Sequence, residues 1–328
     1  MNIVLHIGAD KTGSTAIQQF FAQNIELLSA AGIEYPNILP DELYPRAHGW
    51  AAVGGINVNG NGYSLFEDFS MLERIVAALI LDPVNQNKTF VFSSERLLKT
   101  FADESVWNRL AQISESNNLK VTVVGYYRDA IPYLSSIYNE LIKSAGESNT
   151  FSDFVSRIPN NPHLAPHFHY FPRIIQLSKS FPQVKFSVFR YETHKNEIAE
   201  HFLLSAANST LLDALPPKRD ANRSLSRLES IFLTGLNAHR PDLGRELGWR
   251  IAALPVIDDK SFMLSPTDIE LATTLCENYL SEMHNLIIGE ERPGMGKIES
   301  GPDKLSQNGE AQIHQLGTVI GNYLKDGK

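Results

Sequence analysis

Two apolar patterns alternate along the chain. Asn2 to Ile7 is an almost unbroken apolar run, as expected of a strand buried on both faces. From Ser14 the pattern changes. Ile17, Phe20, Phe21, Ile25 and Leu28 recur at three- and four-residue steps, which predicts a helix ended by Gly32. Met71 to Leu81 predicts a second helix, stopped by Asp82-Pro83. Thr89 to Ser93 predicts a second strand, Trp107 to Asn118 a helix, and Leu119 to Tyr127 a third strand, the most apolar segment of the chain. Asp129 is placed as the N-cap of a helix that carries Pro132 near its first turn and runs to about Gly146. Val184 to Tyr191 predicts a further strand and Glu197 to Ala207 the helix after it. Beyond that the chain reads as mostly helical.

Strands alternating with helices imply an α/β fold: a three-layer arrangement of a parallel sheet flanked by helices. Residues 1–288 read as one domain. Residues 54–62, rich in Gly and Asn, read as a loop inside it. Residues 289–309 turn to Gly, Pro, Glu, Lys and Ser, the composition of a linker. After it Ile313, Leu316, Ile320, Tyr323 and Leu324 share one face of a predicted C-terminal helix over residues 310–328.

Charge and cysteine content narrow the function classes. The 328 residues carry a net charge of −8, which argues against a general nucleic-acid binder but not against a local basic pocket. Cys276 is the single cysteine; it excludes an internal disulfide and a thiolate metal cluster, and its neighbours Leu275 and Tyr279 suit a helical core position. The apolar run at the N-terminus is too short for a signal peptide. No run reaches the ~20 apolar residues of a membrane span. A cytoplasmic protein without a transmembrane segment is expected.

The loop after the first strand concentrates phosphate-binding residue types: Gly8-Ala9-Asp10-Lys11-Thr12-Gly13-Ser14-Thr15. A strand feeding a glycine-bearing loop that opens a helix aims backbone N–H dipoles at one spot. Gly8 and Gly13 let the backbone turn and approach a ligand, Lys11 adds a full charge, and Ser14 and Thr15 add hydroxyl donors. The glycine spacing is that of the Walker A pattern, but the lysine precedes the second glycine and Ser14 fills its slot. No strand ends in an Asp suited to hold magnesium, so a magnesium–triphosphate site is disfavoured.

A second candidate begins at Arg128, at the carboxyl end of the third strand, where open α/β sheets bind ligands. Ser136 follows on the next helix. A guanidinium and a hydroxyl can grip one phosphate together, although an arginine after a strand is also a common surface ion-pair former.

Together these segments resemble the sulfotransferase superfamily. Leu5-His6-Ile7-Gly8 followed by Lys11-Thr12-Gly13-Ser14-Thr15 is similar to the 5′-phosphosulfate loop of bacterial sulfotransferase-family proteins. Arg128, Ser136, Tyr138 and Asn139 resemble the 3′-phosphate segment. Phe92-Ser93-Ser94-Glu95 resembles a Ser-Ser-Glu strand end, and Asn222-Arg223-Ser224-Leu225 a late Asn-x-Ser-Leu loop. Asp129 departs from the pattern, since the family often has a second basic residue there. The resemblance implies a P-loop-NTPase-like fold, 3′-phosphoadenylyl sulfate (PAPS) as donor, no metal, and a hydroxyl or amine acceptor. That acceptor is expected to be a carbohydrate or lipid-linked glycan. Gly8, Lys11, Thr12, Gly13, Ser14, Thr15, Arg128, Ser136 and Arg223 are then the donor-binding residues, with Lys11 also stabilising the leaving oxygen.

Sulfuryl transfer also needs a base. Glu95, after a core strand, is the first candidate; it reads equally as a carboxylate serving the helix that follows. His48, in Arg46-Ala47-His48-Gly49-Trp50, is the second. His163, His167 and His169 have spacings that could hold zinc, but Pro162 and Pro166 argue against a regular helix carrying them. Two rival readings remain: a small-molecule kinase with a variant P-loop, and a non-catalytic nucleotide-binding protein of polysaccharide assembly.

Overall fold

The computed structural model describes residues 1–36, 69–207, 225, 227–252, 264–287, 294–296 and 325. These residues fall into two compact units. The first comprises residues 1–128, 166–218 and 285–292, and the second residues 129–165, 219–284 and 293–328.

The first unit is built on β1 (Asn2–Gly8), α1 (Ser14–Gln23), α2 (Ile25–Ala30), β2 (Ile33–Glu34), α3 (Ser70–Ile80), β3 (Thr89–Ser94), α4 (Leu97–Thr100), α5 (Glu104–Asn117) and β4 (Lys120–Tyr127). The second unit takes up α6 (Ala130–Glu140), a π-helical turn (Leu141–Ala145) and α7 (Phe151–Arg157). The chain then returns to the first unit with α8 (Pro166–Ser178), β5 (Val184–Arg190), α9 (Tyr191–His194) and α10 (Ile198–Ala207). It ends in the second with α11 (Arg227–Asn237), α12 (Pro241–Ala252) and α13 (Pro266–Leu286).

The five strands form one sheet in the order β2-β3-β1-β4-β5, and every pairing is parallel. The unbroken apolar run of β1 is explained by its central place: Ile3, Val4, Leu5 and Ile7 are all at most 1% exposed. Both faces are covered. Val4, Val91, Val124 and Tyr126 share a core with Ile17 and Phe21 of α1 and with Ile198, Phe202 and Leu203 of α10. Gly125, which alternates to the other face, lies against Phe171 of α8. The fold is therefore α/β, with an all-parallel five-stranded sheet flanked by helices.

Several boundaries differ from the sequence expectation. The helix from Ser14 is interrupted at Asn24, whose side-chain amide donates to the Phe20 carbonyl at 2.8 Å. That bond competes with the helical ladder, and α2 starts afresh. The two-residue edge strand β2 is too short to leave a periodic signal. Asp129 occupies the N-cap position of α6 but makes no side-chain cap bond. Its carboxylate instead accepts the Gly294 N–H at 2.9 Å. Pro166 does not prevent a regular helix: α8 begins at it and carries His167 and His169, because proline costs little in the first turn. No helix of the described residues is long and apolar enough to cross a membrane.

Candidate functional site

The strand register sets the site. Ile7 of β1 lies opposite Ser94 of β3, and Gly8 opposite Tyr126 of β4. The loop from Gly8, the residue Glu95 and the residue Arg128 therefore leave one edge of three adjacent strands. That edge is the carboxyl end of a parallel sheet.

The loop from Gly8 to Gly13 is tightly formed. A Cβ on Gly8 would come within 2.2 Å of Ser14 Oγ, so any larger residue there would force the Ser14 side chain to move. Gly13 has φ +82° and packs against Ile198 and Tyr191. Lys11 also adopts a left-handed conformation, φ +65°, which costs a non-glycine residue about 1–2 kcal/mol. The Thr12 hydroxyl donates to the Ala9 carbonyl at 2.6 Å, and Ser14 Oγ reaches the same carbonyl at 3.5 Å. Thr12 thus shapes the loop from within. No side chain caps α1, whose first-turn N–H groups have no partner inside the helix. With half-buried Lys11 in the same loop, these amides form an anion-binding arrangement.

Arg128 is held against that loop. Its Nη1 donates to the Lys11 carbonyl at 3.1 Å, its Nε lies 3.4 Å from a Glu192 carboxylate oxygen, and its guanidinium sits 5.1 Å from the Tyr191 ring centre. The Arg128 N–H donates to His167 Nε2 at 3.2 Å. Burial first, and the charge of Arg128 second, push His167 down to about 3. The ring is neutral and can accept that bond. Sequence reasoning missed Tyr191 and Glu192, and read His167 only as a possible zinc ligand; they meet Arg128 from α9 and α8.

Glu95 sits one residue past β3, partly buried. Gln18 Nε2 donates to its Oε2 at 3.2 Å. Burial pushes its carboxyl above the ordinary value. Its own backbone N–H and Gln18 pull the other way, and weaker contributions come from Asp10, upward, and Lys11, downward. Glu95 is therefore held by more than the backbone of its own turn, and two loop residues act on its charge. Beneath it, Gln18 Nε2 also approaches Ser93 Oγ at 3.4 Å, and Ser93 Oγ is 2.7 Å from His6 Nδ1.

The remaining donor-binding and base candidates lie in the second unit, in α1 or outside the described residues. Ser136, half-buried on α6, belongs to the second unit, as do Tyr138 and Asn139. The Tyr138 hydroxyl donates to the Asn149 carbonyl at 2.7 Å. Asn139 accepts from Ser230 at 2.9 Å and donates to the Ser135 carbonyl at 3.1 Å. Both serve packing. Thr15 is half-buried in the first turn of α1. His48 and Arg223 lie outside the described residues, as do the 54–62 loop and, apart from residues 294–296 and 325, the 289–328 segment. Among the described residues no group of three or more His, Cys, Asp or Glu is arranged to hold a metal ion. Cys276 is buried in α13.

The chain shows no significant match to any protein-family model, curated protein or solved structure.

Proposed function

We propose that the protein is a PAPS-dependent sulfotransferase, with a P-loop-NTPase-like phosphate site on β1 and α1. The observation that carries this reading is the convergence of Lys11, Glu95 and Arg128 on one edge of three adjacent parallel strands. A cation beside free helix amides suits the donor's 5′-phosphosulfate. A carboxyl with a raised pKa suits a base. A second cation, braced by Glu192, suits a second phosphate.

In the reaction so read, the acceptor oxygen or nitrogen forms a bond to sulfur while its proton passes to the Glu95 carboxylate. The bond between sulfur and the bridging oxygen breaks, and its electron pair leaves on the 5′-phosphate of adenosine 3′,5′-bisphosphate. Lys11 and the first-turn amides of α1 offset the charge that gathers there, and the arrangement acts by positioning and electrostatic stabilisation. Burial of Glu95 opposes the pull of Lys11, which by itself would make the carboxylate a weaker base. The acceptor in this reading, carried over from the sulfotransferase resemblance alone, is a carbohydrate or lipid-linked glycan hydroxyl or amine, met in the cytoplasm.

The test is titration calorimetry with adenosine 3′,5′-bisphosphate in the presence of a chelator. Metal-free binding is the expected result. A strict magnesium dependence would remove the sulfotransferase reading and favour a kinase.

A further inference from the structure

We propose that Gln18, braced through Ser93 by the buried ring of His6, is the positioning residue for the Glu95 carboxylate. This inference rests on the sulfotransferase reading and extends it to residues behind the reacting edge.

Gln18 lies on the buried face of α1, between Ile17 and Phe21, and is 2% exposed. An amide in such a place costs stability unless its polar atoms are used. Its nitrogen approaches Ser93 Oγ at 3.4 Å and Glu95 Oε2 at 3.2 Å, so its two amide hydrogens are divided between strand and base. The opposite amide orientation would set oxygen against carboxylate oxygen, which is repulsive. Ser93, wholly buried, accepts from Gln18 and has its own hydrogen to give to His6 Nδ1, 2.7 Å away. That direction requires a lone pair on His6 Nδ1. Burial pushes His6 down to about 3 and keeps the ring neutral; in the Nε2–H tautomer Nδ1 carries that lone pair, and in the Nδ1–H tautomer the ring donates to Ser93 Oγ instead, so either tautomer holds the hydroxyl. His6 Nε2 is buried and has no hydrogen-bond partner among the described residues. The ring is fixed instead by Phe202, with centroids 5.0 Å apart, and by Tyr126, at 6.0 Å.

The brace is made of neutral dipoles, and this decides its effect. A lysine or arginine at position 18 would also orient the carboxylate, but it would lower its pKa and blunt it as a base. A neutral amide fixes direction with a smaller penalty. The charged groups acting on Glu95 are Asp10 and Lys11 of the loop, which oppose one another.

The experiment needs no acceptor. Protein carrying δ-13C glutamate is titrated by NMR, with the Glu95 signal assigned by its absence in Glu95→Gln. Gln18→Met keeps the length and helix preference of the side chain but removes the donor. The Glu95 midpoint is expected to move upward, since a bond favouring the charged form is lost. Metal-free binding of adenosine 3′,5′-bisphosphate should stay within about twofold of wild type. Ser93→Ala, which loosens Gln18 without touching Glu95, should move the midpoint the same way by less, and it serves alone if Gln18→Met fails to fold. A midpoint that is unchanged or falls in the variant that folds overturns the inference. Failure of the wild type to bind the bisphosphate overturns the sulfotransferase reading instead, whatever the Glu95 titration shows.

Discussion

At the strand ends of the first unit, polar groups face one another across short distances with capacity to spare. α1 has no side-chain cap, and the Glu95 carboxyl is raised by burial. In the second unit several buried polar side chains donate to one another and to local backbone, although Asn237 Oδ1 has no hydrogen-bond partner among the described residues. Asn237 donates to the Ile142 and Glu147 carbonyls at 2.8 and 2.9 Å, and Tyr138 and Asn139 are bonded within the unit. Lys143 is paired with Glu140 at 2.9 Å and sits over the Trp249 ring. A buried polar group that is satisfied specifies packing. A group whose remaining capacity points to an open edge is available for chemistry. Under the proposed reading the reacting groups Lys11, Glu95 and Arg128 lie in the first unit, although both units carry residues that resemble a phosphate-binding segment.

The largest expected effect breaks the comparison at the base. Glu95→Gln should lower PAPS turnover by ~10²–10⁴ while leaving bisphosphate affinity nearly unchanged; near-normal turnover would show that Glu95 is only a well-packed carboxylate. The same variant has a stability signature. A carboxyl whose folded pKa is raised binds its proton more tightly when folded. Wild-type stability therefore falls as pH rises from the ordinary carboxylate value through the folded one, and Glu95→Gln should lack that part of the decline in denaturant titrations at a series of pH values.

Next comes Arg128→Ala. Loss of a charge-assisted contact of ~1.5–3 kcal/mol corresponds to roughly ten- to a hundredfold in affinity. The loss should be far greater for adenosine 3′,5′-bisphosphate than for adenosine 5′-phosphate, measured by calorimetry. Because Arg128 also holds the Lys11 carbonyl, equal losses for the two ligands would identify it as a loop brace and not a 3′-phosphate ligand.

The smallest effect on binding is expected in the second unit. Asn237→Ala strips one buried and one partly buried carbonyl of their donor and should cost ~1–3 kcal/mol of stability, read by denaturant unfolding. Bisphosphate affinity of the folded variant should be unchanged. A matching loss of affinity would mean that the polar groups of the second unit are not merely structural.

Composition and periodicity were enough for the main plan of the sheet. The strands beginning at Asn2, Thr89 and Val184, and the one ending at Tyr127, lie within a residue or two of their expected bounds; β1, β3 and most of β4 are buried on both faces and so nearly continuously apolar, whereas the edge strand β5 is only partly buried and alternates apolar with polar residues. The glycines at 8 and 13 and the lysine between them were legible for a similar reason: a sharp turn needs particular residues at fixed spacing. The chain could not announce Gln18, Ser93 and His6 as a set, nor Glu192 and Tyr191 as the neighbours of Arg128. Each of these residues has an ordinary local context. The first three stand 75 or more positions apart in two of their three pairings, and only the lateral register of β1 against β3 and the seating of α1 bring them together. Local sequence fixes which faces are buried, since burial repeats every two or 3.6 residues. It does not encode which distant side chain arrives opposite a given one, and that pairing, decided by tertiary packing, sets the direction and the charge of Glu95.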